Sequence, residues 1–301
     1  MLPASATARN SRRSVRSKCM TAPGCLRPWR SLPCAMPHCG APLGAGKLRR
    51  MPHDLPTAAT IAAVFLLAGM VKGIIGLGLP TIAIGLLGLF LPPAEAAALL
   101  VLPSALTNLW QALSGGLPLA LLRRLLPLLA GLLLGAALGA MLGIGLSGGD
   151  AALARRLLGA ALLLYGGFGL VGRVATLPEG AGEGWAGLGS GLVTGMVTAA
   201  TGVFVLPAVP YLQALGLERR ALLQAMGLSF GVSTLALAAS LPAGSLTGSA
   251  SGGGMLFASA LALAPTLLGM VVGQRLHLPP LLFRRIFFAG LLGLGAHLAL
   301  A

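Results

Sequence analysis

Residues 55–91 read LPTAATIAAVFLLAGMVKGIIGLGLPTIAIGLLGLFL, with Lys72 the one charged side chain among them. The first part, 55–75, matches the roughly 20 apolar residues that a helix needs to cross a bilayer. It then meets Gly73-Ile74-Ile75-Gly76-Leu77-Gly78-Leu79-Pro80, where glycine loosens the backbone and proline can open a new helix but not continue an old one. The apolar run that follows, 77–91, has 15 residues, and at about 1.5 Å per residue it falls short of a hydrocarbon core about 30 Å thick. The stretch therefore reads as a broken or re-entrant helix pair. Non-helical backbone at membrane depth is tolerated only where protein or a water-filled cavity satisfies its polar groups, so the break marks a candidate pathway.

The pattern returns at Thr194-Gly195-Met196-Val197-Thr198-Ala199-Ala200-Thr201-Gly202, followed by a short run, 201–214, of 14 residues. The other apolar segments are 94–114, 121–146, 151–172, 184–199, 218–240, 251–274 and 281–300. Period-2 alternation is absent and Ala, Leu and Gly dominate, which argues for helices and against a membrane barrel. Composition agrees: 56% of the 301 residues are hydrophobic and 9% are charged, against about 25% charged in a soluble domain. The expected class is an all-α polytopic membrane protein.

The net charge of +15 does not point to nucleic acid, because it is unevenly placed. Residues 1–50 carry ten basic residues, no acid and all four cysteines (Cys19, Cys25, Cys34 and Cys39). This segment lacks the apolar core of a secretory signal. It reads either as a disordered tail or as an upstream extension of a protein that starts at Met51. The cysteines form no CxxC pair and only His38 could join them, so no metal site is expected.

The ends of the two halves repeat. ARRLLGAALLLYGGFGLVG at 154–172 and FRRIFFAGLLGLGAHLALA at 283–301 align without gaps at an offset of 129, pairing Arg155 with Arg284 and Arg156 with Arg285. Upstream, Gly78/Gly202, Ala97/Ala221 and Leu99/Leu223 align at an offset of 124. The expected organisation is a basic tail (1–50), a first membrane repeat (51–174) and a second (183–301), each repeat a broken helix pair followed by three helices. Such repeats are characteristic of secondary transporters, with the substrate site between them. If each broken pair crosses once, there are about eight spans and the arginines divide seven to three, favouring parallel repeats. Crossing twice gives about ten spans and an eight-to-two division. The charge rule leaves the choice open.

AGMVKGIIGLGLPTIAIGLLGLFLPPAEAAALLVLPSALTNLWQAL (68–113) and GLVTGMVTAATGVFVLPAVPYLQALGLERRALLQAMGLSF (191–230) resemble the TauE/SafE family of sulfite exporters, also called the 4-toluene sulfonate uptake permease family. The likeness runs over roughly residues 58–299: a Gly-rich break, a Pro and an apolar run, then a polar turn opening an Ala-rich helix, in each half. The second break departs from the pattern, with Thr198 and Thr201 where a glycine cluster is expected. The resemblance implies a permease of the cytoplasmic (inner) membrane that moves sulfite, a sulfonate or a related small organic acid, passively or coupled to protons or sodium. The chain has no GxxxxGK[ST] stretch for ATP, and no cofactor is expected.

An anion at low dielectric needs a positive charge or a set of donors. Lys72 is the candidate cation, read either as a ligand inside the span or as a side chain snorkelling to the interface. Freed N–H groups at Gly76, Gly78 and Gly202, with Pro80 and Thr201 beside them and the positive ends of the short helices behind, are further candidates. Ser104, Asn108 and Gln111 share one helical face. Their counterparts in the second half are Gln224, Ser229, Ser233 and Thr234. This polar stripe either binds substrate or joins helices. Pro103 is expected to bend its helix and free a carbonyl. Glu95, Glu218, Arg219 and Arg220 are expected to serve helix ends, His277 a loop, and His297 helix packing. No Ser/His pair or paired carboxylates suggest an enzyme. The alternative to transport is a membrane-embedded assembly protein whose repeats serve packing only. The remaining expected partners are the small anion, the lipid bilayer and a coupling ion.

Overall fold

The computed structural model describes residues 55–116, 119–146, 150–171, 176–177, 180–241, 254–276 and 279–300. The basic tail with its cysteines, Arg173 and His277 lie outside these. Among the described residues there are ten helices and no strand. They are α1 (Leu55–Ile75), α2 (Leu79–Leu87), α3 (Pro93–Leu113), α4 (Leu119–Met141), α5 (Ala151–Val171), α6 (Ala181–Thr201), α7 (Ala208–Ala214), α8 (Arg219–Ser240), α9 (Gly254–Arg275) and α10 (Pro280–Leu300).

Six of them, α1, α3, α4, α5, α8 and α10, are long and apolar enough to cross a membrane. The 21-residue α6 and 22-residue α9 match them in length without joining this set. The short helices α2 and α7 have 9 and 7 residues, shorter than the runs 77–91 and 201–214. Much of each run is irregular: 88–92 trails α2 and 203–207 precedes α7. Large apolar side chains such as Leu109, Trp110, Leu164 and Leu281 point outward. Lipid is the solvent that accepts such a surface. The protein is a multi-pass membrane protein.

Local chemistry sets the boundaries. Asp150 caps α5, its Oδ1 accepting the N–H groups of Ala152 (2.9 Å) and Leu153 (3.0 Å). Proline opens α2 and α3, where its missing N–H costs nothing. Helices α1 and α6 stop at Gly76 (φ 78°) and Gly202 (φ 75°), left-handed positions that favour glycine.

Small residues bring the long helices into backbone contact. Gly69 and Gly73 of α1 meet the Thr266 and Met270 backbone of α9, while Gly269 and Gly273 return the contact onto Leu66 and Met70. Position rises with position, so α1 and α9 run parallel. Helices α4 and α6 do the same, Gly131 and Gly135 resting on Leu188 and Leu192. By contrast α3 and α8 run antiparallel, Ser104 meeting Thr234 and Ala112 meeting Gly227. So do α5 and α10, where Gly159 meets Ala299 and Gly166 meets Leu292. Close packing through small residues is how helices associate where lipid removes the hydrophobic drive. At one end, Arg124 of α4 grips the Glu183 carboxylate of α6 with both Nε (2.7 Å) and Nη2 (2.9 Å).

Candidate functional site

Lys72 lies one turn before the end of α1 and is 4% exposed. Its Nζ donates to Asn108 Oδ1 on α3. With Oδ1 accepting from Nζ the Asn108 amide is oriented, and its Nδ2 donates to Ser104 Oγ (3.1 Å) and Thr234 Oγ1 (3.3 Å). The Thr234 hydroxyl donates to the Phe230 carbonyl at 2.7 Å, so Ser104 donates to Thr234 at 3.1 Å. The chain of donors runs from Lys72 to a backbone carbonyl with no carboxylate on the way.

Gln111 is one turn further along α3. Its Nε2 donates to the Gly76 carbonyl (2.9 Å) at the break and to the Leu223 carbonyl (3.0 Å) on α8. Both acceptors are carbonyls, which again settles the amide's orientation. Gln224 reciprocates from α8, donating to Ala112 O (3.3 Å) and Gly116 O (3.2 Å). The two glutamines clasp α3 to α8 beside the first break.

These groups border an open cavity of about 990 Å³ whose walls include Lys72, Gly76, Gln111, Tyr165, Arg219 and Arg284. Among the described residues, no Asp or Glu lines it. Tyr165 contributes one edge of an aromatic wall, its ring edge-on to Phe288 at 5.3 Å. Arg219 and Arg284 are exposed and sit at the mouth. The cavity thus carries two exposed guanidinium groups and the buried Lys72 side chain held by a neutral amide.

Of the residues singled out from the sequence, Lys72, Gly76 and Gln111 line the cavity, and Asn108 stands directly behind Lys72. Gly78, Pro80, Thr201, Gly202, Ser229 and Ser233 do not line it. The free N–H groups expected at the breaks are absent at two positions. Gly76 N–H donates to Lys72 O and Gly202 N–H to Thr198 O, both at 2.8 Å, because a left-handed glycine closes one further helical bond before the chain turns away. Thr201 spans its own break, donating to Val197 O (2.7 Å) and accepting from Val203 N–H (3.1 Å). Ser233 donates to Ser229 O at 2.9 Å. The carbonyl that Pro103 frees, on Leu99, is taken by the Ser259 hydroxyl of α9 at 2.8 Å, a contact that joins the two helices. His297 is exposed on α10. Arg219, expected to serve a helix end, belongs to the cavity mouth, and Tyr165 carried no signal of its own.

A family model described as sulfite exporter TauE/SafE matches residues 61–298. The chain belongs to the TauE/SafE sulfite exporter family. No curated protein and no solved structure matches it. TauE/SafE proteins are membrane transporters, and the matched region contains the whole cavity and both breaks.

Proposed function

We propose that this TauE/SafE protein is a secondary transporter of the cytoplasmic membrane for a small anion: sulfite, a sulfonate or a small organic acid. Lys72 carries the reading. Among the described residues the buried Lys72 side chain has one protein acceptor, a neutral amide, and no counterion, so carrying its positive charge is costly until an opposite charge arrives. The substrate anion supplies it. Asn108, Ser104 and Thr234 hold the ammonium in place, Gln111 fixes the break beside it, and Arg219 and Arg284 concentrate anions at the mouth.

Two inverted repeats, α1–α5 and α6–α10, deliver the substrate by alternating access. The pairings support this: α1·α9 corresponds to α6·α4, while α3·α8 and α5·α10 each pair an element with its own counterpart in antiparallel fashion. A helix packed antiparallel on its counterpart requires a dyad perpendicular to both, hence in the membrane plane. Inverted halves need an odd number of crossings each, so α1 with α2 and α6 with α7 each cross out and back, giving about ten crossings in which α2 and α7 are the short return pieces. Arg123, Arg124, Arg219, Arg220, Arg275, Arg284 and Arg285 fall at the cavity end and Arg155 and Arg156 at the other, so the cavity faces the cytoplasm. The deciding experiment is flux in proteoliposomes, with sulfite, methanesulfonate and acetate under imposed proton or sodium gradients. Movement of at least one, lost in Lys72→Met, is the expected result. Flux of none of them, or flux unchanged by Lys72→Met, overturns the reading.

A further inference from the structure

We propose that Arg155 is the anion-recruiting residue of a second vestibule on the face opposite the cavity, doing there what Arg284 does at the present mouth. This rests on the inverted repeats proposed above. The offset that pairs Arg155 with Arg284 also pairs Leu158 with Phe287 and Tyr165 with Leu294. In each half an arginine therefore stands three residues before a large apolar side chain, on the same helical face.

What differs is the space around the two sets. Gly76, Tyr165, Val209 and Phe287 line the open cavity. At the other end Gly202, Leu158 and Leu294, which stand where Gly76, Phe287 and Tyr165 stand at the first, are packed against their neighbours. Gly202 sits against Ile84 Cδ1, a methyl on Gly85 would come within 2.6 Å of Leu294 Cδ2, and one on Gly88 would lie 3.4 Å from Leu158 Cδ2. Leu146 seals the far side, its N–H donating to Ala200 O at 3.1 Å. The second vestibule is collapsed, and the chemistry that would serve it is already in place. Arg155 Nε is buried without a hydrogen-bond partner among the described residues. An unsatisfied donor on a guanidinium calls for an explanation, and an oxyanion entering when this end opens matches the guanidinium fork.

The test uses single cysteines in full-length protein whose Cys19, Cys25, Cys34 and Cys39 are serine. Leu158→Cys reports on the collapsed end and Phe287→Cys on the open cavity, with Leu294→Cys as a second reporter should Leu158→Cys fail to fold. Vesicles of each orientation are treated with two impermeant methanethiosulfonates, one bearing a sulfonate and one a trimethylammonium group. Each thiol displaces sulfinate from the reagent to form a mixed disulfide. We expect Leu158→Cys to react from the face opposite that of Phe287→Cys, with the sulfonate reagent favoured about tenfold. Arg155→Gln should bring that ratio to about one and leave the ratio at Phe287→Cys unchanged, as an exposed charge acts within about 10 Å. A ratio indifferent to Arg155→Gln overturns the role of Arg155. Reporters at the collapsed end that never react, while Phe287→Cys does, overturn the vestibule and spare the cavity. Reaction of both reporters from one face overturns the inverted repeats and this inference with them.

Discussion

The chain breaks twice in the same way and uses the two breaks differently. At Gly76 and at Gly202 a long helix ends on a left-handed glycine whose N–H reaches back to Lys72 O or Thr198 O. Beyond Gly76 the backbone borders the cavity, its carbonyl is held by Gln111, and the helix resumes after two residues. Beyond Gly202 the chain is buried and threonines answer its N–H groups: Thr201 for Val203 and Thr194 for Ala208, both at 3.1 Å. Irregular backbone at membrane depth needs partners, and these come from a cavity border in one case and from packed protein in the other. The position four residues before the glycine differs accordingly: a lysine at the open break, a threonine at the closed one.

The strongest way to break this comparison is Lys72→Met. It keeps the length of the side chain and removes the charge, so folding should survive while flux falls about a hundredfold or more, the scale of losing one partner of a buried charge pair. Flux in proteoliposomes, with monodispersity in detergent as the folding control, measures it. Retained flux would reduce the lysine to a packing residue and leave the two breaks equivalent. Gln111→Leu comes next. Two hydrogen bonds are lost and the Gly76 and Leu223 carbonyls lose a donor, so apparent substrate affinity should drop about tenfold, with thermal stability reduced by about 1–3 kcal/mol. An effect on stability alone would assign Gln111 to the clasp and not to the site.

Much of this architecture was legible from residue types. Long apolar runs bounded by Gly and Pro located the helices, and the short runs after each break exposed the irregular pieces. Register was less accessible: residue matching pairs Gly78 with Gly202, whereas the helix ends pair Gly76 with Gly202. Two glycines two residues apart offer equal matches, and only the hydrogen bond back to residue 72 distinguishes them. The direction in which long helices pack was also hidden, since the antiparallel contacts of α3 with α8 involve residues more than 110 apart in sequence. Lys72, Asn108 and Gln111 stood out as polar groups in apolar helices. Arg219 did not, because a basic residue opening a helix looks alike whether it anchors at headgroups or lines a mouth. The hydroxyl that takes the carbonyl freed by Pro103 comes from Ser259, 160 residues away from Leu99, and no local pattern predicts that partner.

The smallest effects belong to the closed break, and they sharpen the contrast most. Thr201→Val keeps the shape of the side chain but leaves the buried Val203 N–H without its acceptor. The cost of an unpaired buried donor is about 1–3 kcal/mol, so the melting temperature should fall by several degrees with substrate affinity unchanged. Thr198→Val removes a hydroxyl that only bonds back to Thr194 O at 2.7 Å within its own helix. That carbonyl also accepts the helical N–H of residue 198, so the cost should stay below about 0.5 kcal/mol, with flux within about twofold of the parent. Thr198 occupies the place that Lys72 holds at the other break. If Thr198→Val instead lowered flux tenfold without changing stability, the closed break would be binding substrate too, and the division of labour between the two would be wrong.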